Sequence, residues 1–500
     1  MKENFDILIA GAGFAGSLTA LVLHNSGFKV CIVEKGRHPR FAIGESSTPI
    51  ADMLLRSLSE KYKLPWLHDF SRYGTWQQTH PEVACGIKRG FSYFKHYPGK
   101  QFIADAAHSN ELLVAASVSD TASDTNWFRA DFDAFLAGKV QEAGIVYYDL
   151  TEIIAVQKSS AWIFDICRDN SVSQIEAAFY IDATGGGHLL EKLFGVTSSS
   201  ADFLTNSFGV FSHFRNVPCW TETMMQKGFS TADFPYNPDN SALHHVLDEG
   251  WMWVLRFNNG LTSFGFALNG WDKQFDGMDA MEIWEKMRAK YPSVNDIIQT
   301  SALAKTPGCI IKSQRLQRKT AQCFGEGWVA LPHSCGFVDP LFSSGIAHSL
   351  SGIEKITSLL NQYWGNDKIL HNNLQQYEKA VFTELRLVDM LVAGCYDTMR
   401  HFPLFNAWAM LYFAATITSE QRRLKGEPPG YFLGADDAGI QEMVTTSYAE
   451  LKQILLNNQP AGQDIQNFIT HVRGRIKPVN IAGLMEPDAK NMYHHTVARL

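Results

Sequence analysis

The first 34 residues constrain this chain more than any other stretch. Phe5-Asp6-Ile7-Leu8-Ile9-Ala10 is a short, nearly continuous apolar run, as in a strand buried on both faces. Gly11-Ala12-Gly13-Phe14-Ala15-Gly16 follows at once, and the pattern over 17–26 predicts a helix that ends at Gly27. A second apolar run over 28–33 closes on Glu34, 23 residues after Gly11. Gly11 permits the tight turn, Gly13 lets backbone approach a pyrophosphate, and Gly16 lets helix pack on strand. The helix N-terminus faces the phosphates, and the acid accepts from a ribose hydroxyl. A lone Gly-x-Gly-x-x-Gly is weak. With strand, helix, second strand and acid in order it predicts an adenine-dinucleotide site built from Gly11, Ala12, Gly13, Ala15, Gly16 and Glu34, with Lys35 and Arg37 just beyond.

A chain of 500 residues, 45% hydrophobic, exceeds what one core usually supports, so two interlocked domains are expected. A net charge of −7 with no basic run gives no footprint for nucleic acid or an anionic membrane, which leaves a small molecule as ligand. Met1-Lys2-Glu3-Asn4 leads straight into the first strand without room for a secretory signal, and the expectation is a cytoplasmic protein. Eight scattered cysteines carry no Cys-x-x-Cys or zinc-like spacing; reduced thiols and no metal are expected. The aromatic stretch 402–418 falls short of the ~20 apolar residues that span a bilayer and reads as an internal helix.

Lys88 stands in Ala84-Cys85-Gly86-Ile87-Lys88-Arg89-Gly90-Phe91-Ser92. A buried ammonium is costly unless it is paired or shifts its pKa toward neutrality, and a lysine so placed can do chemistry. A solvated lysine beside Arg89 on a strand edge fits the same pattern. From the residues alone both readings stand.

Four further segments, in order, resemble FAD-dependent monooxygenase-type folds. Arg37-His38-Pro39-Arg40-Phe41-Ala42-Ile43-Gly44-Glu45-Ser46-Ser47-Thr48-Pro49 looks like the loop after their second strand, and Trp127-Phe128-Arg129-Ala130-Asp131-Phe132-Asp133 like their Arg-x-x-Phe-Asp segment. Tyr180-Ile181-Asp182-Ala183-Thr184-Gly185-Gly186 is similar to their Asp-Ala-x-Gly strand end. Gly327 to Pro332, leading into Gly336-Phe337-Val338-Asp339-Pro340, is similar to the segment that returns to the flavin. The resemblance implies a p-hydroxybenzoate-hydroxylase-like α/β fold binding FAD, with Ile43, Gly44, Glu45, Ser46, Ser47, Arg129, Asp182, Asp339, Gly345 and Ile346 added to the cofactor site. No second Gly-x-Gly-x-x-Gly follows, so reduced flavin is expected from a separate reductase.

From residue 5 to about 420 the chain resembles the flavin-dependent halogenases, in particular the branch acting on phenols and pyrroles. The carrying residues are His38-Pro39-Arg40-Phe41 with Gly44-Glu45 and Thr48-Pro49, Cys85-Gly86-Ile87-Lys88-x-Gly90-Phe91-Ser92, Gly250-Trp251-Met252-Trp253-Val254, and Gly336-Phe337-x-Asp339-Pro340-Leu341-Phe342-Ser343. The resemblance implies that reduced FAD and O2 give a C4a-hydroperoxide attacked by chloride or bromide, and that hypohalous acid crosses a tunnel to Lys88 beside the substrate ring. It implies a halide seat at the backbone of Ser344 and Gly345 and a tunnel flanked by Trp251 and Trp253. Tryptophan halogenases place a glutamate where Phe342 stands, so an activated phenol or pyrrole is expected instead of tryptophan. Leu255-Arg256 replaces the Ile-Pro of the family's Trp-x-Trp-x-Ile-Pro, which keeps an FAD monooxygenase on the same fold as the alternative.

The expected layout is an FAD domain over 1–350, interleaved with a substrate-binding sheet at roughly 65–125 and 195–320, then a helical region over 351–500. Apolar residues at 3- and 4-residue spacing predict helices over 351–363, 372–397, 405–416 and 441–458, and residues past about 480 are expected as a loose tail. Phe402, Phe405, Trp408, Met410, Tyr412 and Phe413 are candidates for an aromatic pocket. The expected setting is secondary-metabolite biosynthesis, on a substrate free or carried by a carrier protein, with a homodimer as one possible assembly.

Overall fold

The computed structural model describes residues 3–186, 188–456, 460–496 and 498. The α/β fold read from the sequence is present. The apolar run of the fingerprint forms strand Glu3–Ala10, buried in the middle of an eight-stranded sheet. It lies parallel to Ser171–Asp182 on one side and Val30–Val33 on the other, and Trp328–Ala330 and Val146–Tyr148 extend the parallel core. Helix Phe14–Asn25 packs against helices Arg129–Glu142 and Ser344–Tyr363. The carboxyl ends of the central strands therefore point at Gly11, Glu34 and Asp182, where a doubly wound sheet binds its ligand.

A nine-stranded sheet holds the other half. Its path runs Ala302–Leu303, Ser207–Arg215, Thr262–Asn269, Gly250–Arg256, Ala242–Val246, Gly90–Lys95, Glu111–Ala115 and Met492–Tyr493, with Ile311–Arg315 beside Ser207–Arg215. Strand alternation divides its side chains between two cores. Trp251, Trp253 and Leu255 enter the core shared with the flavin half, whereas Met252 and Val254 enter a second core under helices Ala280–Lys290 and Pro292–Ile298. A small separate ladder joins Cys85–Lys88 antiparallel to Asp124–Trp127.

Five helices differ in extent from the spacing-based expectation; those expected over 372–397 and 441–458 span Asp367–Thr398 and Ala438–Ile454, and positions 457 and 458 lie outside the described residues. The fingerprint helix starts at Phe14, because Gly13 in extended conformation is already its cap. The helix expected from 351 starts at Ser344, directly after left-handed Ser343. The helix expected over 405–416 spans Phe402–Leu424, since Pro403 is tolerated in a first turn and the final turns bury Glu420, which an apolar count ignores. The expected tail is docked: Met492–Tyr493 pairs with Glu111–Ala115, and the Met485 N–H donates to Tyr493 Oη at 3.1 Å. Among the described residues no helix is long and apolar enough to cross a membrane.

Candidate active site

The glycine turn has the form its spacing predicts. Gly11 has φ +96°, and a Cβ there would lie 2.7 Å from the Ala183 carbonyl oxygen. At Gly16 a Cβ would fall 1.9 Å from the Gly11 carbonyl oxygen, so helix and turn close only around glycine. Gly13 differs: its nearest neighbours, Arg129 Nη2 and Asp133 Oδ2, would be 3.5 and 3.6 Å from a Cβ. The chain itself leaves Gly13 room for a side chain, so a ligand's approach is what would exclude one. Glu34 accepts from the N–H groups of Ala12 (2.7 Å) and Gly36 (2.8 Å). Burial pushes its carboxyl up, but these donors and the Arg40 charge outweigh that and leave it lowered, hence ionised. Lys35 and Arg37 reach outward to Glu152 (3.7 Å) and Asp149 (2.7 Å).

Arg129 ties the flavin loop to this turn. It grips Asp133 through Nε and Nη2 (2.8 and 2.7 Å), donates from Nη1 to the carbonyls of Ile43 and Gly44 (3.2 and 3.1 Å), and lies over the Phe14 ring. Buried polar atoms without a partner among the described residues gather along this loop and beside it: His38 Nδ1, Arg40 Nε, Glu45 Oε2, Ser46 Oγ and Arg318 Nη1. Such atoms are costly unless something satisfies them. Together with the free side of Gly13, they fit a large polar cofactor such as FAD.

Two acids assigned to the cofactor site turn inward. Asp182 accepts from Thr184 N–H (3.0 Å), Thr184 Oγ1 (2.7 Å) and Tyr180 Oη (3.1 Å). Asp339 accepts from Ser207 Oγ (2.5 Å), Leu341 N–H (3.0 Å) and Tyr396 Oη (3.0 Å), and burial pushes it up to about 6. Their side chains shape the turns at the ends of the strand Ser171–Asp182 and of the segment before Pro340. After Asp339-Pro340 the chain makes a left-handed step at Ser343 (φ +52°) and enters the helix at Ser344. The first N–H groups of that helix, at Ser344, Gly345 and Ile346, have no intrahelical acceptor.

Lys88 is fully buried, not solvated. Its Nζ donates to the carbonyl of Ser47, in the flavin loop, and lies 4.1 Å from the centroid of Phe91. Phe413 meets Phe91 edge-on at 5.4 Å, and Tyr412 stands 6.1 Å from the same ring. Tyr412 in turn stacks on Phe342 at 4.0 Å and donates to the Phe342 carbonyl (2.9 Å), so an aromatic pair occupies the position where a glutamate was missing. Burial lowers Lys88 to about 8, against the pull of Asp124, Asp52 and Glu420. Among the described residues no carboxylate oxygen lies within 4.0 Å of the ammonium, so it is held by charge without being locked in an ion pair.

The two tryptophans link the halves. Trp251 and Trp253 are 5.8 Å apart; Trp251 Nε1 donates to Tyr396 Oη (3.2 Å), and Trp253 Nε1 to Ser263 Oγ (3.2 Å). Trp251 also lies 5.1 Å from His244, which stacks on Tyr93 at 4.5 Å and faces Phe91 at 6.2 Å. A row of side chains thus runs from the Asp339 turn to Lys88. The Leu255-Arg256 departure is structural: Arg256 donates to Asp239 Oδ1 (2.8 Å) and to the carbonyls of Val217 and Pro218. Its own carbonyl presses on Gly86, where a Cβ would be 1.8 Å away. Gly86→Ala is expected to cost roughly 1–3 kcal/mol through this overlap, read as a lower denaturation midpoint.

Of the six aromatic-pocket candidates, Tyr412 and Phe413 pack on Phe91, the ring under the lysine, and Phe405 meets Tyr93 at 5.4 Å. Trp408 packs on Gly394 and donates to the Leu391 carbonyl, so it belongs to the helical core. Sequence reasoning missed Asp52, Asp124, Glu420 and His244. For Asp124 the signal exists only in the pairing of Cys85–Lys88 with Asp124–Trp127, which sets it opposite Lys88.

Comparison with known proteins agrees with this geometry. The tryptophan halogenase family model matches residues 120–405, more than half of the chain, and an NAD(P)-binding Rossmann-like domain matches residues 9–82. The monodechloroaminopyrrolnitrin halogenase PrnC of Pseudomonas fluorescens is 24% identical over 92% of this chain and 83% of its own. The tetracycline 7-halogenase of Kitasatospora aureofaciens is 22% identical over 84% and 75%. In structure, the halogenase PltM in complex with phloroglucinol and FAD superposes with a TM-score of 0.86 at 22% identity, over 98% of this chain and 99% of PltM. The chain belongs to the tryptophan halogenase family and is a flavin-dependent halogenase.

Proposed function

We propose that the enzyme halogenates an electron-rich phenol- or pyrrole-like ring beside Lys88, using chloride or bromide. The observation that carries this is a fully buried lysine that lies over Phe91, the ring on which Tyr412 and Phe413 pack, and is bonded to the flavin loop. Reduced FAD, bound in the cradle and supplied with O2 and halide, provides the oxidant as hypohalous acid. The backbone N–H groups of Ser344 and Gly345 hold the halide. Trp251 and Trp253 fill the space between the two halves and keep the substrate from the flavin side. Lys88 holds the electrophilic halogen as a chloramine or by a hydrogen bond next to one ring carbon. Glycine turn, Glu34, Arg129 and the 43–47 loop hold the FAD, and the interleaved FAD and sheet regions with a helical region after 350 form the working division of the chain.

An aromatic pair at Phe342 and Tyr412 supports an activated ring, which loses its proton with less help than an indole. Relatives fit this reading: one is named as a 1H-pyrrole-2-carbonyl-[peptidyl-carrier protein] brominase, and PltM is solved with phloroglucinol. With Arg256 explained by its structural bonds, no observation favours the monooxygenase. Incubating the enzyme with chemically reduced FAD, O2 and chloride or bromide, against phloroglucinol, pyrrole-2-carboxylate and free tryptophan, is expected to yield halogenated phenol or pyrrole. Hydroxylated product alone, or a preference for tryptophan, overturns the assignment. NADH with oxidised FAD is expected to give product only when a flavin reductase is added.

A further inference from the structure

Three buried carboxyls surround Lys88, each from a different element: Asp52 on helix Pro49–Lys61, Asp124 on strand Asp124–Trp127 and Glu420 on helix Phe402–Leu424. They are not equivalent. The antiparallel ladder sets Asp124 directly opposite Lys88, on the same face of the two strands. Asp52 and Asp124 lie close enough to act on each other: the Asp124 charge raises Asp52, while Asp52 helps hold Asp124 down. Neither Asp52 Oδ1 nor Asp124 Oδ2 receives an N–H or O–H from any described residue. We propose that Asp124 is the proton acceptor of the halogenation, paired with Lys88 as proton donor, and that Asp52 is a positioning residue for Asp124; this rests on the reading of Lys88 given above.

The step closes without a net proton. A ring carbon donates an electron pair to the halogen of hypohalous acid, forming the carbon–halogen bond while the halogen–oxygen bond breaks; the ring is oxidised and the halogen reduced. The departing hydroxide takes a proton from the Lys88 ammonium and leaves as water. The C–H bond at the halogenated carbon then breaks, its electrons restoring aromaticity, and the proton passes to Asp124. Asp124 returns that proton to the Lys88 amine through one bridging water, since the two groups stand more than 4.0 Å apart, and both groups are reset.

The charges facing this pair favour that division of labour. Burial raises all three carboxyls; Asp124 reaches only about 6, because Lys88, Asp52 and Arg56 hold it down. Burial pushes Asp52 and Glu420 well above their ordinary values, and the charge of Asp124 adds to it. Arg56 acts on Asp52 and Asp124 from helix Pro49–Lys61, with Arg72 and Glu60 beside it. From the other sides come Tyr412, whose hydroxyl burial keeps neutral, and His244, which burial lowers to about 3 and keeps uncharged. Between about pH 6 and pH 8 the site therefore holds an ionised Asp124 and a charged Lys88. Product formation is expected to fall on both sides of that window, below it as Asp124 is protonated and above it as Lys88 loses its charge.

The test uses the whole enzyme with phloroglucinol, reduced FAD and bromide. Asp124→Asn is expected to lose product about 100-fold, the lower range for a positioned acid or base, while FAD binding and flavin reoxidation stay normal. Hypohalous acid should then escape to an added trap. Asp124→Glu, which keeps a carboxylate, is expected to retain more product than Asp124→Asn. Asp52→Ala should move the acid limb of the pH profile upward by removing a group that helps hold Asp124 down, and Asp52→Asn, whose amide donates, should restore it. The role is overturned if Asp124→Asn makes product within threefold of wild type, if Asp124→Glu is no better than Asp124→Asn, or if the acid limb ignores Asp52→Ala. A wild type that makes no halogenated product instead overturns the function itself.

Discussion

Replacing Lys88 with alanine is expected to abolish halogenated product, by about 1000-fold or more, while reduced flavin is still reoxidised by O2 at the wild-type rate. The expectation follows from separation: the ammonium lies over Phe91, on which Tyr412 and Phe413 pack, and its hydrogen bond to the flavin half goes to the carbonyl of Ser47. Alanine also leaves that carbonyl buried without its donor and opens a cavity, costs of about 1–3 kcal/mol for the lost bond alone. Lys88→Met is therefore the companion variant, since it keeps the volume and loses only the nitrogen. Both should lack product and both should bind FAD. Halogenation by Lys88→Met would show that the side chain matters as filler. Lys88→Arg should fail as well, because a guanidinium does not titrate near neutrality and forms no equivalent chloramine.

Gly13→Ala is expected to weaken FAD binding about 100-fold, which at 1.4 kcal/mol per tenfold is about 2.8 kcal/mol, with little change in the stability of the apoprotein. A methyl group at Gly13 meets nothing of the protein closer than 3.5 Å, and its backbone is already in a conformation that alanine adopts. The methyl stands on the free side of the turn, where a pyrophosphate would approach. Gly16→Ala provides the contrast, since its Cβ would lie 1.9 Å from the Gly11 carbonyl oxygen and should destabilise the fold with or without cofactor. Titration of FAD fluorescence together with melting of the apoprotein separates the two. Equal FAD affinity in Gly13→Ala and wild type would remove Gly13 from the cradle.

What the sequence made legible follows a physical rule. The fingerprint was readable because it is a local backbone requirement written in consecutive residues, whereas the Arg129 segment and the turn after Pro340 were readable only as resemblances. Lys88 was readable as a resemblance, but its burial was not, since neighbours such as Cys85 and Phe91 suit a half-exposed strand equally well. Asp124 and Asp52 were invisible for another reason. Each sits in an ordinary polar setting, Ser123-Asp124-Thr125 and Ala51-Asp52-Met53, and acquires its character only when a ladder and a helix bring it to the lysine. Arg256 was misleading in the same way: as a departure from a motif it pointed to altered chemistry, and in the fold it clamps the Val217-Pro218 and Asp239 segments. The docked end at Met492–Tyr493 depends on a partner strand almost 380 residues earlier, beyond the reach of any local pattern.

The bond from Lys88 to the carbonyl of Ser47 joins two tasks that are chemically separate. Ser47 closes the loop whose earlier residues, Ile43 and Gly44, are gripped by Arg129 beneath the glycine turn. A peptide group thus belongs at once to the cofactor's enclosure and to the lysine's anchorage. On the proposed reading, a disturbance of this one carbonyl is therefore expected to cost halogenation and FAD affinity together, so that production and use of a corrosive reagent would share a single anchor.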